Sequence, residues 1–77
     1  MVKATLYTRA GCHLCEAAHD VLERARARAA LEIELVDIDG DEALRREFNE
    51  EVPVVALNGR VVFRHAVDEA ELLKRLT

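Results

Sequence analysis

Three observations predict an α/β domain with the element order βαβαββα for this chain of 77 residues. Stretches with apolar residues at every second position take turns with stretches where they recur at helical spacing. Asn58-Gly59, between two short apolar runs, marks a two-residue hairpin. Asp68 and Glu71, ahead of Leu72, Leu73 and Leu76, open a last helix. Residues 1–77 are read as a single domain, because the length suits one small core and no linker, repeat or low-complexity segment divides it.

Taken in order, Val2, Ala4 and Leu6 share one face of a first strand, with Lys3 and Thr5 on the other. Leu14, Ala17 and Ala18, Val21 and Leu22, Ala25 and Ala29 form the apolar stripe of a long helix. An Asp20–Arg24 pair at i,i+4 supports it. Leu31 to Ile38 reads as a second strand, in which Leu31, Ile33 and Leu35 alternate with Glu32 and Glu34. Val36 and Ile38 take the opposite phase, which predicts that the end of this strand is buried on both faces. Asp39 and Glu42 resemble a capping box for a short helix with Leu44 and Phe48 as its stripe. Pro53 to Leu57 and Val61 to Phe63 are the third and fourth strands. Val67 is placed to staple against Leu72 at the start of the last helix.

Half of the residues are apolar and a third are charged, the balance of a globular chain rather than a disordered one. A formal net charge of −4 argues against a nucleic-acid partner. Arg24, Arg26 and Arg28 form a local basic run, read as a solvated helix end whose cations complement the dipole. No basic segment leading into an apolar one opens the sequence, and no apolar run reaches membrane-spanning length. The expected setting is the cytoplasm, with no membrane partner. Two cysteines are too few for the disulfide framework of a small secreted domain.

Those two cysteines carry the strongest chemical signal. They stand as Cys12-His13-Leu14-Cys15, after the turn-like Ala10-Gly11 and at the opening of the long helix. A cysteine at a helix N-terminus faces unpaired N–H groups at the positive end of the macrodipole, which favours thiolate over thiol. Residues three apart on a helix have Cβ atoms about 5–6 Å apart. A small adjustment closes such a pair into a disulfide. A nucleophilic thiolate beside a thiol that captures its mixed disulfide is the minimum for thiol–disulfide exchange.

Other uses of Cys-x-x-Cys fit less well. A soft-metal chaperone of similar length carries the motif after its first strand, but its order would be βαββαβ. Attachment of c-type haem needs His after the second cysteine, where this chain has Glu16. The alternative reading is a zinc or soft-metal binding module, since His19 completes Cys-x2-Cys-x3-His with Cys12 and Cys15. A structural zinc site has four protein ligands, and His13 lies about 100° round the helix from Cys12. No metal is expected.

Val52-Pro53 is the second signal. Proline directly ahead of Val54 and Val55 begins a strand or sits at an edge, because it brings no N–H to a ladder. With Cys-x-x-Cys and the βαβαββα order, this dipeptide makes the whole chain resemble the thioredoxin superfamily, most closely its small glutaredoxin branch. The matching pieces are Leu6-Tyr7-Thr8-Arg9 leading into Cys12, Val52-Pro53, the Asn58-Gly59 hairpin, and Asp68 at the last helix. The Cys-His-Leu-Cys motif is similar to that of a set of short bacterial glutaredoxin-like proteins.

The resemblance implies a thioredoxin fold of the minimal glutaredoxin type, with a four-stranded mixed sheet flanked by three helices. It implies a monomeric thiol–disulfide oxidoreductase that transfers electrons in cell redox homeostasis, acting on protein or small-molecule disulfides. Cys12 is then the attacking thiolate and Cys15 the resolving thiol. Pro53 is expected to be cis and to pack beside the pair, leaving the Val52 backbone to a bound substrate. Arg9 matches a basic residue ahead of the active site, placed to favour the thiolate or meet a substrate carboxylate. His13 is expected to be exposed and, when cationic, to make the disulfide more oxidising. Tyr7 is expected to pack in the core with its hydroxyl near the surface, and His65 to be an exposed connector. No cofactor is tightly bound. The partners implied are a client disulfide protein and, as electron donor, glutathione or a flavoprotein reductase.

The chain departs from the glutaredoxin pattern in two places. His13 and Leu14 stand where glutaredoxins have Pro and Tyr. After the hairpin, glutaredoxins carry Gly-Gly and a short polar turn that holds a glutathione carboxylate. Counted from Pro53 without a gap, Phe63 and Arg64 fall at the glycine positions, and Asp68 comes one residue late. Side chains where a backbone must approach a ligand count against a glutathione site.

Overall fold

The elements of the computed structural model, which describes residues 1–76, follow the alternation in the sequence. They are β1 (Val2–Thr8), α1 (His13–Arg26), β2 (Leu31–Asp37), a 3₁₀ turn (Ile38–Gly40), α2 (Glu42–Phe48), β3 (Val54–Leu57), β4 (Arg60–Arg64) and α3 (Glu69–Leu76). The strands form one mixed sheet in the order β2-β1-β3-β4. β1 and β2 are parallel, as a helical crossover requires, and the other two pairings are antiparallel.

Alternation along the strands divides the core in two. Leu6 lies opposite Val55, and Tyr7 opposite Val54, so neighbouring residues feed opposite faces. On one face α1 lays Ala18, Leu22 and Ala25 over Ala4, Leu6, Leu31 and Val55, and α3 adds Leu72. On the other face Ile38, Phe48 and Val54 cluster with Tyr7, Leu44, Val52 and Val61. Tyr7 and Phe48 pack as tilted rings, their centroids 4.8 Å apart. Leu6, Leu22 and Leu72 are completely enclosed. Each such side chain stabilises the fold by about 1.5–3 kcal/mol.

The turn signals at the two ends of the hairpin and of α3 act locally. Asn58 and Gly59 both take positive φ, 51° and 86°, the pair of left-handed residues that a tight hairpin turn requires. Asn58 Oδ1 also accepts the Lys3 N–H at 2.9 Å, tying the turn to β1. Asp68 Oδ1 accepts the Glu71 N–H at 3.1 Å and so caps α3, while Val67 packs with Leu72 in the larger cluster.

Several local expectations are corrected by long-range packing. Leu14, in the first turn of α1, is 58% exposed and does not join the stripe of Ala18, Leu22 and Ala25. Helix α1 stops at Arg26, where the N–H groups of Ala27, Arg28 and Ala29 fold back onto the Glu23 and Ala25 carbonyls, so Ala29 lies outside it. Arg24 donates to Glu69 at 3.0 Å rather than pairing with Asp20, since α3 lies alongside α1. Strand β2 ends at Asp37, and its end is not buried on both faces. Leu35 is 54% exposed at the sheet edge, and full burial begins only at Ile38 in the 3₁₀ turn. That turn occupies Ile38–Gly40 and moves the cap of α2 two residues on. Asp41, not Asp39, accepts the Ala43 and Leu44 N–H groups.

Candidate active site

The carboxyl end of β1 delivers the chain to the site. Gly11, with φ of 77°, turns the connecting loop through a conformation that disfavours a side chain, and Cys12 follows as the N-cap of α1. The Cys15 N–H points at Cys12 Sγ from 3.1 Å, a donor that a thiolate there would accept. Cys12 is half-buried at the helix tip, whereas Cys15 is buried on the inner face with Ala18 and Leu22. The two are joined as a disulfide with Cα atoms 5.2 Å apart, within the usual range. One sulfur meets the surface, the other the core.

A depression of about 280 Å³ opens beside the disulfide. Its walls are the loop from Thr8 to Cys12, the α1 residues Cys15, Glu16 and His19, and Leu6 and Leu35 from the paired strands. Arg9 lines it, but its guanidinium is held from behind. Nη2 and Nε donate to the two Asp39 oxygens at 2.6 and 3.3 Å, and Nη1 donates to the Asn49 carbonyl and side-chain oxygen at 2.8 and 2.9 Å. The clamp joins the active-site loop to the 3₁₀ turn and the end of α2.

This fork has an electrostatic signature. The hydrogen bond with Arg9 holds the Asp39 carboxyl below its ordinary range, against a smaller opposing effect of desolvation. The same bond raises Arg9 further above its ordinary value. A carboxyl lowered on folding contributes stability above its unfolded value, about 3.9 for Asp, and loses it as pH falls through the folded value. The gain is modest for groups at the surface. Between pH 6 and pH 3 the urea midpoint of the parent protein should therefore fall more steeply than that of Arg9→Met. Parallel pH profiles would mean the clamp contributes nothing to stability.

Of the remaining predicted residues, His13, Val52, Pro53 and His65 do not line the depression, and His19 does. The His13 side chain is 97% exposed, with Nδ1 3.3 Å from Glu16 Oε2. The Val52–Pro53 bond is cis. Tyr7 opposes Val54 in the sheet, which brings Pro53 to the same end as the cysteines, and Val52 packs in the smaller cluster. The His65 N–H donates to the carbonyls of both Pro53 and Glu51, at 2.8 and 3.0 Å, gripping the turn on either side of Val52. His19 lines the depression, and its Nε2 lies 3.3 Å from Glu23 Oε2. Among the described residues no group of three or more His, Cys, Asp or Glu is arranged to hold a metal ion.

The region after the hairpin differs from the ungapped count. Val55 opposes Phe63 while Ala56 opposes Val61, so Val62 is an extra residue in β4. Beyond this bulge the register moves by one, so that Arg64 opposes Val54 and His65 follows as the first residue after the strand. His65 has φ of 71°, the left-handed conformation that glycine adopts most readily. Arg64 is paired with Glu51 and lies over the Phe48 ring at 5.8 Å. Sequence reasoning also passed over Leu35, Asp39 and Asn49. The sequence around Asp39 predicts a helix cap, and only the tertiary fold shows its partner, Arg9.

A family model described as Glutaredoxin-like domain (DUF836) matches residues 3–77. The chain belongs to this family. An uncharacterized protein of Mycobacterium tuberculosis, Rv0508, is 35% identical over 72 residues, which cover 87% of this chain and 74% of that protein. The solution NMR structure of protein Ne2328 from Nitrosomonas europaea superposes on this glutaredoxin-like chain with a TM-score of 0.86. It is 31% identical, with 99% of this chain and 92% of that one covered. A mutant thioredoxin from Halobacterium salinarum, 21% identical, shares the fold with a TM-score of 0.72, covering 97% of this chain and 71% of its own. The thioredoxin fold of the glutaredoxin-like family thus fits the order and pairing of the strands. Among the described residues no helix is long and apolar enough to cross a membrane.

Proposed function

We propose that this glutaredoxin-like chain is a dithiol–disulfide oxidoreductase in which Cys12 attacks and Cys15 resolves. The observation that supports it best is the inequality of the two sulfurs. Cys12 caps the helix at the surface, under the Cys15 N–H, and Cys15 is buried three residues on. In the reduced protein the Cys12 thiolate attacks one sulfur of a client disulfide and expels the other as a thiolate. Cys15 then loses its proton and attacks Cys12 Sγ, which breaks the mixed disulfide and releases the second client thiol. The client gains two electrons and the protein is left as the Cys12–Cys15 disulfide.

In this reading the backbone at Val52, ahead of Pro53, is the docking edge for an extended substrate segment. His13, fully outside the depression, tunes the disulfide by its charge when protonated. Arg9 fixes the loop that carries Cys12, through Asp39 and Asn49. No resident cofactor takes part. A client disulfide protein and an electron donor, a flavoprotein reductase or glutathione, complete the cycle in the cytoplasm. Mixing the fully reduced protein with a protein disulfide should yield two client thiols for each chain oxidised. A mixture in which no client thiol forms while the chain stays reduced overturns the proposal.

A further inference from the structure

The geometry points to His19 as the base that takes the proton from the Cys15 thiol when the mixed disulfide is resolved. The inference rests on Cys15 being the resolving thiol. Only the thiolate of Cys15 can attack Cys12, and a side chain with 3% of its surface exposed has little contact with solvent water that could take its proton. A proton acceptor near Cys15 is therefore required, and the depression beside the disulfide limits the choice.

The depression is lined by three ionisable side chains other than the cysteines: Arg9, Glu16 and His19. Arg9 is cationic and bound to Asp39, so it cannot accept a proton. Glu16 is directed outward, with its side chain 77% exposed and its Oε2 beside His13 Nδ1. His19 remains. It follows Cys15 by four residues on α1, and helical side chains lean toward the N-terminus, so it lies over the turn that carries Cys15. Its side chain is 38% exposed, and β2 adds only Leu35 to this wall.

The orientation of the ring suits the role. Glu23 Oε2 lies 3.3 Å from His19 Nε2, so a proton on Nε2 is held by the carboxylate and Nδ1 is left as the acceptor. The same carboxylate fixes the orientation of the ring. The depression that Cys15 and His19 both line, at about 280 Å³, is large enough to hold water. The Cys15 proton passes to Nδ1, directly or through a water, as Cys15 Sγ bonds to Cys12 Sγ and the client thiolate departs. The imidazolium then returns its proton to the departing thiolate or to solvent. No further oxidant or reductant enters this step.

Rapid mixing of the reduced protein with one equivalent of 5,5′-dithiobis(2-nitrobenzoate) separates the two steps, since each releases one coloured thiolate. A Cys15→Ser variant identifies the first phase by showing it alone. In His19→Ala the first phase should keep its rate and the second should slow by about a hundredfold. Free imidazole should restore the second phase in proportion to its concentration. A second phase as fast as that of the parent overturns the inference, as does an equal slowing of both phases, which would mark a purely structural role. Failure of imidazole to rescue likewise overturns it. If the parent itself shows no first phase, the exchange reading fails, and the role of His19 falls with it.

Discussion

Replacing Cys12 by Ser should abolish exchange with any disulfide, while replacing Cys15 by Ser should leave the first attack intact and trap the mixed disulfide. The expectation follows from position. Cys12 stands at the helix tip with the Cys15 N–H directed at its sulfur, and the one other cysteine, Cys15, is buried. Cys15 is enclosed with Ala18 and Leu22, so a large disulfide reaches it only after Cys12 has opened the reaction. Loss of the nucleophile leaves a hydroxyl that exchanges no disulfide, whereas loss of the resolving thiol leaves a stable adduct. Mass spectrometry after incubation with an excess of client should show the adduct on Cys15→Ser and none on Cys12→Ser. Alkylation of the reduced parent should be faster at Cys12, and equal rates at the two thiols would sink the assignment.

The second large effect concerns glutathione. Despite its glutaredoxin-like fold, the chain should turn over a glutathione mixed disulfide slowly relative to a protein disulfide. Glutathione is small and must be held by a few polar contacts, chiefly to its carboxylates. Losing one hydrogen bond to a charged group costs about 1.5–3 kcal/mol. That is roughly a tenfold loss of binding or more. Two cations near the sheet end could meet such a carboxylate, and both are already paired, Arg9 with Asp39 and Arg64 with Glu51. The left-handed position after the bulge carries the His65 side chain, and its N–H is bound to Pro53 and Glu51. A protein substrate should depend less on these contacts, because on the proposed docking edge it would add backbone pairing along Val52. A glutathione-coupled rate equal to that of an ordinary glutaredoxin assayed alongside would overturn this expectation.

The element order was legible because it is written in local periodicity. Ala4 and Leu6 alternate, Ala18, Leu22 and Ala25 recur by helical turns, and Asn58-Gly59 needs no distant partner to define its hairpin. The cysteine pair was legible for the same reason, since its spacing alone brings the two sulfurs within bonding distance. What stayed hidden depends on residues far apart in sequence. Arg9 meets Asp39 thirty residues on, and Arg24 meets Glu69 forty-five residues on. Neither choice of partner leaves a periodic trace. The exposure of Leu35 requires knowing that β2 is an edge strand, and its alternation with Glu32 and Glu34 says nothing of strand order. The extra residue Val62 is likewise invisible, because β4 reads as a continuous apolar run through it.

Strand β1 is flanked on both sides, by β2 and by β3, and the sulfurs hang from its carboxyl end through a loop of a few residues. Backbone amides of such a strand exchange with solvent deuterium only when its neighbours on both sides part, an event close in free energy to global unfolding. The helix tip and its loop, by contrast, lie outside the sheet and are partly exposed, so their amides are expected to exchange by local opening. On the proposed exchange reading, attack and resolution involve only the helix tip and its loop and do not require β1 to part from its neighbours. Chemistry and unfolding run on separate clocks.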